Sequence, residues 1–502
     1  MRLVDKFFGW SLTGSFGALI LFAATFFRPG LHTLATLAIA ALVLIATLRD
    51  LRWGVYAAFA DLLLAGKGYW FSVPLGSDRL PLRMIIFIIV MAVWFARRAR
   101  ERKGILPPRG IRDRLAALLA VAAGYAALNG LIHHPFNNVF LDANAWLYFF
   151  LLPAVIKALA TPKDFHRVLQ LLAAGTLVLG TATLLTLWAF GHLPASILGP
   201  WYQLIRDSGM GEITPVSGTL VRVFFQSHLY ALAGAMVFLA LLCRRAFAGI
   251  TDTITAGVVW YTAAATIVVS QSRSFWVAAA VGSLLVLAVA AFHYALRWRA
   301  LLILFLLAFV VFTQQSLVAL VSGNYGSGVL LQRISGLERE PAASTRRSQL
   351  APLTAAIGQH PLLGSGFGRT VSYRTQDPRI LRQQPDGWYT TFAFEWGYLD
   401  IALKLGMLGA LIYAAWLTTL ILTPFLARKR DPGIAGISES FAMALAAVAV
   451  ANIFTPYLNH PLGIGWVLVV GACAAALLAR QDGRGAMRTP RSVPHPQVAN
   501  GR

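Results

Sequence analysis

The stretch VLQLLAAGTLVLGTATLLTLWAF, residues 168–190, contains no charged side chain and indicates the fold most clearly. A helix needs about 20 apolar residues to cross the hydrocarbon core of a bilayer, and this stretch is long enough. Comparable stretches recur along the chain, and the best defined cover residues 10–27, 31–48, 226–243, 274–292 and 300–320. We therefore predict an all-α polytopic membrane protein with about fourteen transmembrane helices, within a range of 12–14.

The composition agrees with a membrane protein. Hydrophobic residues make up 58% of the chain and charged residues only 13%, which excludes an ordinary soluble globular protein. The net charge of +23 is spread over several connections and the C-terminal tail, so topology and anionic lipid explain it better than nucleic acid does. The two cysteines, Cys243 and Cys473, fall in predicted spans, so the sequence offers no disulfide framework and no cysteine metal site.

Short connections are alternately rich and poor in basic residues. Basic clusters occur at Arg97–Lys103, Arg244–Arg245 and Arg428–Arg430, whereas the connection His133–Asn138 has no Lys or Arg. Cytoplasmic connections hold Lys and Arg in excess, so the pattern predicts that both termini are cytoplasmic. We expect a single transmembrane domain over residues 1–480 and a disordered cytoplasmic tail over residues 481–502.

Two connections on the opposite, outer side are too long to be simple turns. They cover about residues 191–225 and 321–395. Connections of this length are usually functional or disordered, and the aromatic residues in the second argue against disorder. We expect short helices in it, including one over about residues 345–359 that Ser344 caps and that presents Leu350, Leu353 and Ile357 on one face.

Two outer arginines are candidate functional residues. Arg273 lies in the polar sequence Ser270–Ser274 between two apolar spans, and Arg222 lies at the end of the first long connection. An arginine near the membrane boundary is costly unless it extends to water or contacts an anion. Each could therefore be an interfacial anchor or an anion-binding residue.

The second long connection ends in a region rich in glycine and aromatic residues. Gly364, Gly366 and Gly368 permit either an ordinary turn or close backbone approach to a ligand. The aromatic residues, among them Trp388 and Tyr389, suit an interfacial belt or a surface on which sugar rings stack. Asp400 and Lys404 are four residues apart, so they can pair on one helix face, and we interpret that pair as structural.

Over roughly residues 220–410 the chain resembles the bacterial O-antigen ligase and polymerase family of membrane glycosyltransferases. The resemblance depends on the order of five features: Arg222, the Ser-Arg ending at Arg273, Arg347 in the long loop, Pro-x-x-Gly-x-Gly at Pro361–Gly366, and Gly-x-x-Gly at Gly406–Gly409. The ligases in this family carry a histidine eleven positions before the Gly-x-x-Gly. This chain has Glu395 there instead.

The resemblance implies a bacterial inner-membrane enzyme with periplasmic long loops, which transfers a glycan from a polyprenyl diphosphate carrier without metal or cofactor. Arg222 and Arg273 would stabilise the diphosphate, since the guanidinium suits phosphate. Glu395 would accept the proton of the attacking hydroxyl, unless it only pairs with an arginine such as Arg382. The predicted substrate-binding residues are Arg347, Gly364, Gly366, Arg369, Trp388 and Tyr389.

Several functions fit these residues. The leading hypothesis is a polymerase that extends lipid-linked repeat units of O-antigen, capsule or exopolysaccharide, and the missing histidine favours it over a ligase that moves finished polymer onto the lipid A core. Another glycan transferase or a lipid-linked glycan transporter remains open, although charges within spans are few beyond Asp61. The expected partners are a carrier-linked glycan, a glycan acceptor, membrane lipid and a chain-length regulator, without nucleic acid.

Overall fold

The computed structural model describes residues 1–76, 78–101, 110–217, 220–293, 308, 312–314, 316–323, 341–376, 378–382, 384–428 and 432–486. These ranges contain seventeen α-helices, and 75% of the described residues are helical. They also contain three two-stranded antiparallel hairpins, which the all-α prediction missed. The hairpins lie in connections, so the helical architecture that the apolar stretches predicted is retained.

The first half of the chain forms nine helices and two hairpins. The helices are α1 Lys6–Thr25, α2 Pro29–Arg49, α3 Leu51–Leu64, α4 Leu82–Arg100, α5 Ile111–His133, α6 Phe136–Ala143, α7 Leu152–Ala158, α8 Pro162–His192 and α9 Ala195–Asp207. A 3₁₀ helix, Trp146–Leu151, precedes α7. Strands β1 Ser72–Leu75 and β2 Asp78–Pro81 pair from Ser72↔Pro81 to Leu75↔Asp78, and β3 Gly211–Ser217 and β4 Leu220–Phe225 pair from Gly211↔Phe225.

The second half adds eight helices and one hairpin. The helices are α10 His228–Cys243, α11 Ile250–Ser270, α12 Arg273–His293, α13 Pro341–Gln359, α14 Pro378–Leu381, α15 Gly397–Leu426, α16 Pro432–Ala451 and α17 Pro461–Ala486. Strands β5 Val371–Arg374 and β6 Trp388–Thr391 pair from Val371↔Thr391 to Arg374↔Trp388. Helix α17 continues six residues beyond the predicted domain boundary at 480, and residues 487–502 of the expected tail lie outside the described residues.

Local signals set the helix ends where the sequence supplies caps. The Asp5 carboxylate accepts from the backbone N–H groups of Phe7 and Phe8, at 2.8 and 3.0 Å, at the start of α1. Helix α8 begins with a capping box between Thr161 and Asp164. These side chains satisfy N–H groups that the first helical turn leaves without partners.

The helices divide into an inner group and an outer group. In α8, α16 and α17 the most apolar windows are 72%, 78% and 83% buried, and nearly every side chain of α10 is buried. In α1, α2 and α5 only 17% of the corresponding window is buried, although these helices are equally apolar. A helix that is apolar on all sides needs protein or lipid around it, so the outer helices are suited to contact hydrocarbon.

The number of spans is only partly settled by the described residues. Nine of their helices are long and apolar enough to cross a membrane, or ten if the pair Phe136–Ala143 and Trp146–Ala158, bent by 42°, is one span. Helix α10 has only 16 residues and α3 only 14, and most of the expected span at 300–320 lies outside the described residues. The prediction of a polytopic membrane protein is confirmed, whereas the count of fourteen is not.

Several of the connections that were predicted to be cytoplasmic meet at one end of the bundle. Asp252, at the start of α11, accepts from the backbone N–H groups of Leu3 and Val4, both at 2.9 Å. At the start of α3, Arg52 pairs with Asp164 at the start of α8, at 3.3 Å. The structure thus brings the N-terminus and later inter-helix connections to the same region, while the side of the membrane that they face stays a prediction.

The helix predicted at 345–359 differs in its start and in its buried face. It begins at Pro341, so Ser344 lies inside the helix and does not cap it. Leu353 is fully buried against a small cluster that includes Phe394, and Ile357 packs beside it. Leu350 is 40% exposed, so the predicted apolar face contains only two of its three residues.

Candidate active site

The β3–β4 hairpin carries Arg222 to the end of α11. Arg222 lies in β4 opposite Thr214, and its Nε donates to the backbone carbonyl of Ser270 at 2.9 Å. Its guanidinium also lies over the Phe224 ring, 4.9 Å from the ring centroid. These contacts fix a half-buried cation next to the polar sequence that contains Arg273.

That polar sequence forms a tight connection between α11 and α12. Gln271 adopts a left-handed conformation with φ of 46°, which is uncommon for a residue other than glycine. The Ser272 backbone N–H donates to the Ser270 hydroxyl at 3.2 Å, and the hydroxyls of Ser272 and Ser274 are 3.0 Å apart. Arg273 begins α12 and is half-buried, so its position is set by a connection whose other members are buried.

Residues 452–460, which connect α16 to α17, join this region to the start of α15. The Thr455 hydroxyl donates to the Ser274 hydroxyl at 3.2 Å. The neighbouring Phe454 ring lies 6.0 Å from the Trp396 ring, measured between centroids. The connection therefore contacts both the Ser-Arg turn and the residue that follows Glu395.

Glu395 is fixed between α13 and the start of α15. Its carboxylate lies 2.7 Å from the Arg346 guanidinium, with side chains that are 39% and 30% exposed. Its backbone N–H donates to the Gln349 side-chain oxygen at 3.2 Å, and the Trp396 indole donates to the Arg346 carbonyl at 2.9 Å. Arg346, the residue before Arg347 in α13, is thus an ion-pair partner of Glu395, whereas the sequence analysis had suggested Arg382 as an example of such a partner.

Together these contacts bring the three predicted catalytic residues to one end of the bundle. Arg222 contacts the carbonyl of Ser270, three residues before Arg273. The contacts of residues 452–460 then extend from the Ser-Arg turn to the neighbour of Glu395. A path of contacts therefore links two guanidinium groups and one carboxylate from separate parts of the chain, and their catalytic roles stay predictions.

The glycine-rich turn packs against a break in α15. Gly364 and Gly366 have φ of 76° and 82°, and Gly406 interrupts the helix with φ of 72°. The Gly366 N–H donates to the Lys404 carbonyl at 3.1 Å, and the Met407 N–H donates to the Pro361 carbonyl at 2.8 Å. A Cβ added at Gly364 would lie 2.4 Å from the backbone nitrogen of Gly406. The close approach that these glycines allow is therefore made by the chain's own backbone, and their substrate-binding role stays a prediction.

A buried charge network holds this turn in place. Lys404 Nζ lies 2.7 Å from Asp400 and 2.5 Å from Asp142, and all three side chains are less than a tenth exposed. The second oxygen of Asp142 accepts from the Gly368 N–H at 2.9 Å, and the Asn459 amide donates to Asp400. The predicted Asp400–Lys404 pair is present. The sequence analysis missed Asp142, although an acid beside the apolar residues of α6 was a signal for a buried partner.

The remaining predicted substrate-binding residues lie around α13 and the β5–β6 hairpin. Arg347 is exposed on α13, and Arg369 donates to the Gln359 side chain at 2.8 Å. Trp388, on β6, is 54% exposed. Tyr389 is half-buried, with its ring edge-on to Tyr373 at 5.9 Å between centroids. Trp388 is thus the aromatic residue of this group with the most surface open to a ligand.

The connection at 452–460 also contains a histidine. Burial, together with the positive charges of Arg83 and Lys67, lowers the pKa of His460 to about 3, so this imidazole is neutral at physiological pH. Among the residues that the structure describes, no group of three or more His, Cys, Asp and Glu side chains could hold a metal ion. The described residues of the region include the arginines Arg222 and Arg273, the partly exposed carboxylate of Glu395 and the aromatic ring of Trp388.

The fold and this region define a polytopic helical membrane protein with a cationic and aromatic site at one end of its bundle. Residues 256–414 match the model of the O-antigen ligase family, and the match supports placing the chain in the O-antigen ligase and polymerase family. No protein with a curated description matches the chain.

The matched segment covers most of the candidate site. It includes Arg273, α13, the glycine-rich turn, Glu395 and Gly406, and it ends before the connection at 452–460. Arg222 lies outside it but contacts Ser270 inside it. The match supports a ligase- or polymerase-type role in O-antigen biosynthesis, a glycosyltransferase-like activity, glycan and lipid partners, and a multi-pass inner-membrane location.

Proposed function

We propose that the chain polymerises polyprenyl-diphosphate-linked oligosaccharide repeat units at the periplasmic face of the inner membrane. The observation that carries this proposal is the contact path that joins Arg222, Arg273 and Glu395 at one end of the bundle. In this arrangement both termini are cytoplasmic, and the loops at 191–225 and 321–395 face the periplasm. The proposal includes a chain-length regulator as a partner.

The two arginines suit the leaving group of this reaction. When the glycosidic bond to the carrier breaks, negative charge develops on the diphosphate, and fixed cations stabilise that charge. Arg222 and Arg273 are half-buried, so water screens their charges less than it would screen fully exposed ones. Arginine presents a planar set of donors that matches phosphate oxygens.

Glu395 suits the role of proton acceptor. The hydroxyl oxygen of the acceptor sugar forms a bond to the anomeric carbon of the donor, the bond from that carbon to the diphosphate oxygen breaks, and the hydroxyl proton moves to the Glu395 carboxylate. The ion pair with Arg346 stabilises the ionised carboxylate, which is the form that accepts a proton. The Glu395 side chain is 39% exposed, and the oxygen that contacts Arg346 is buried, so the acceptor would approach the other carboxylate oxygen.

The choice between polymerase and ligase depends on this same position. The ligases that the chain resembles carry a histidine where this chain has Glu395, which favours the polymerase. The description of the matching family favours the ligase, which transfers finished polymer to the lipid A core. The ligase is therefore the second candidate.

The glycan profile of a deletion strain separates the two candidates. A polymerase predicts that single repeat units remain on the carrier or on the core after deletion, because chain extension stops. A ligase predicts long polymer that accumulates on the carrier. Long carrier-linked polymer in the deletion strain would contradict the proposed function, and re-expression of the full chain should restore the original profile.

A further inference from the structure

An apolar groove lies between α1, α2, α3 and α4. Its volume is about 770 Å³. It extends along α3 from Trp53 to Leu64, a rise of about 16 Å at about 1.5 Å per residue. One leaflet of the hydrocarbon core is about 15 Å thick, so the groove is long enough to follow a lipid tail through a whole leaflet.

Small side chains line part of the groove. Ser11, Gly14 and Ala18 contribute from α1, and Ala57 and Ala60 contribute from α3. A Cβ added at Gly14 would have no neighbouring atom within 4 Å. A single thin hydrocarbon chain can therefore lie close to the helix backbones there.

One end of the groove has aromatic walls that are held in place by stacking. Trp70 stacks on Phe22, with ring centroids 4.9 Å apart and an interplanar angle of 5°. Phe71 stacks on His32 at 5.8 Å and 17°. Both Trp70 and Phe71 line the groove, so this end is formed without a ligand.

The same end is rich in exposed basic residues. Arg79 lies in β2 opposite Pro74, which is three residues after Phe71. Arg28 is one helical turn before His32. Lys67 is also exposed, and its backbone N–H donates to the Gly209 carbonyl at 3.1 Å, beside the start of β3. Asp78 is the exposed acid next to Arg79. The basic end therefore adjoins the hairpin that carries Arg222.

We propose that this groove binds the isoprenoid tail of a diphosphate-linked lipid, with the diphosphate near Arg79. The length of the groove suits an extended hydrocarbon tail, and the positive charge at its end suits a diphosphate. The inference rests on the proposed function: it assigns the carrier lipid of that reaction a docking site, from which its diphosphate passes to Arg222 and Arg273 for transfer.

Photo-crosslinking of the full-length protein in nanodiscs tests this site. The probe is geranylgeranyl diphosphate with a diazirine near the end of its tail, and the labelled peptides are mapped by mass spectrometry. We expect labelling of α1–α4, which undecaprenyl diphosphate suppresses and phosphatidylglycerol does not. Equal suppression by phosphatidylglycerol, or labelling outside these helices only, would overturn the proposal.

Two glycines of α1 provide a matched pair of variants. Gly14 lines the groove and Gly17 does not, although a Cβ at either would meet no atom within 4 Å. Gly14→Leu should fill the groove and reduce labelling about tenfold, equivalent to about 1.4 kcal/mol, whereas Gly17→Leu should leave labelling unchanged. Equal labelling of the two variants would contradict the assigned site.

A third variant tests the position of the diphosphate. Arg79→Gln should weaken competition by geranylgeranyl diphosphate and leave competition by geranylgeraniol, which lacks the charge, unchanged. An equal effect on both competitors would place the head group elsewhere. Because labelling needs no glycan transfer, a protein that labels in the groove but transfers no glycan would contradict the proposed function and retain the lipid site.

Discussion

Replacement of Lys404 by methionine should destabilise the protein strongly, because the change leaves two carboxylates in a buried site. Lys404 Nζ lies between Asp142 and Asp400, and the three side chains are 3%, 8% and 3% exposed. Removal of one partner from a buried ion pair typically costs about 3–5 kcal/mol. We therefore expect Lys404→Met to lower the thermal midpoint of the purified protein in detergent clearly.

Two control variants make this prediction specific. Lys163 is exposed at the start of α8, so Lys163→Met should change stability by no more than about 0.5 kcal/mol. The combination of Lys404→Met with Asp142→Asn and Asp400→Asn removes every charge of the network and should recover most of the loss. Equal thermal midpoints for Lys404→Met and Lys163→Met would refute the interpretation that the buried charge network stabilises the fold.

Three further predictions concern the turn, the topology and the phosphate site. Gly406→Ala should lower the thermal midpoint, because its Cβ would lie 2.1 Å from the Leu362 carbonyl oxygen, whereas Gly257→Ala, with no atom within 4 Å, should not. In intact spheroplasts an impermeant thiol reagent should label Leu362→Cys and not Lys163→Cys; the reverse pattern would invert the topology. Arg273→Ala should abolish glycan transfer and Arg273→Lys should restore only part of it, as measured with carrier-linked glycan; full activity of the alanine variant would exclude the phosphate role.

The sequence predicted the helical bundle because its signal is repeated over many residues. A stretch such as 168–190 needs only its apolar length to predict a span, and helix α8, Pro162–His192, contains it. Shorter elements have weaker signals. The β3–β4 hairpin depends on pairing between residues up to fourteen positions apart, and Gly211–Ser217 gives no strong alternation of apolar and polar residues.

The candidate site was predicted as a set of residues but not as an arrangement. The order of motifs indicated Arg222, Arg273 and Glu395. The contacts that join the Ser-Arg turn to Trp396, the neighbour of Glu395, come from residues 452–460, which no motif indicated. Such contacts depend on how α16 and α17 pack against α12 and α15. Sequence spacing cannot supply that information, because residues far apart in the chain meet only through tertiary packing.

The sequence alone also could not identify the arginine that pairs with Glu395. Several arginines in the long loop were possible partners, and Arg382 was as suitable by charge as Arg346. The position of α13 explains the pairing with Arg346. Gln349 on that helix accepts a hydrogen bond from the Glu395 backbone N–H, and this contact places the Glu395 carboxylate beside Arg346. A charge pattern indicates that a pair can form, while helix packing determines which one does.

The exposure of this ion pair allows catalysis and stability to be separated. The Arg346 and Glu395 side chains are 30% and 39% exposed, and a pair this exposed typically contributes only about 0–1 kcal/mol. Glu395→Gln and Arg346→Gln should therefore both fold with thermal midpoints close to that of the unmodified protein. Only the first removes the proposed proton acceptor.

Turnover of carrier-linked glycan by purified Glu395→Gln tests the central claim most directly. A lost general base predicts a rate that falls by about 10²–10⁴ with a nearly unchanged thermal midpoint, a smaller loss for Arg346→Gln, and more activity in Glu395→His than in Glu395→Gln. Normal turnover by Glu395→Gln would contradict the proposed catalytic role.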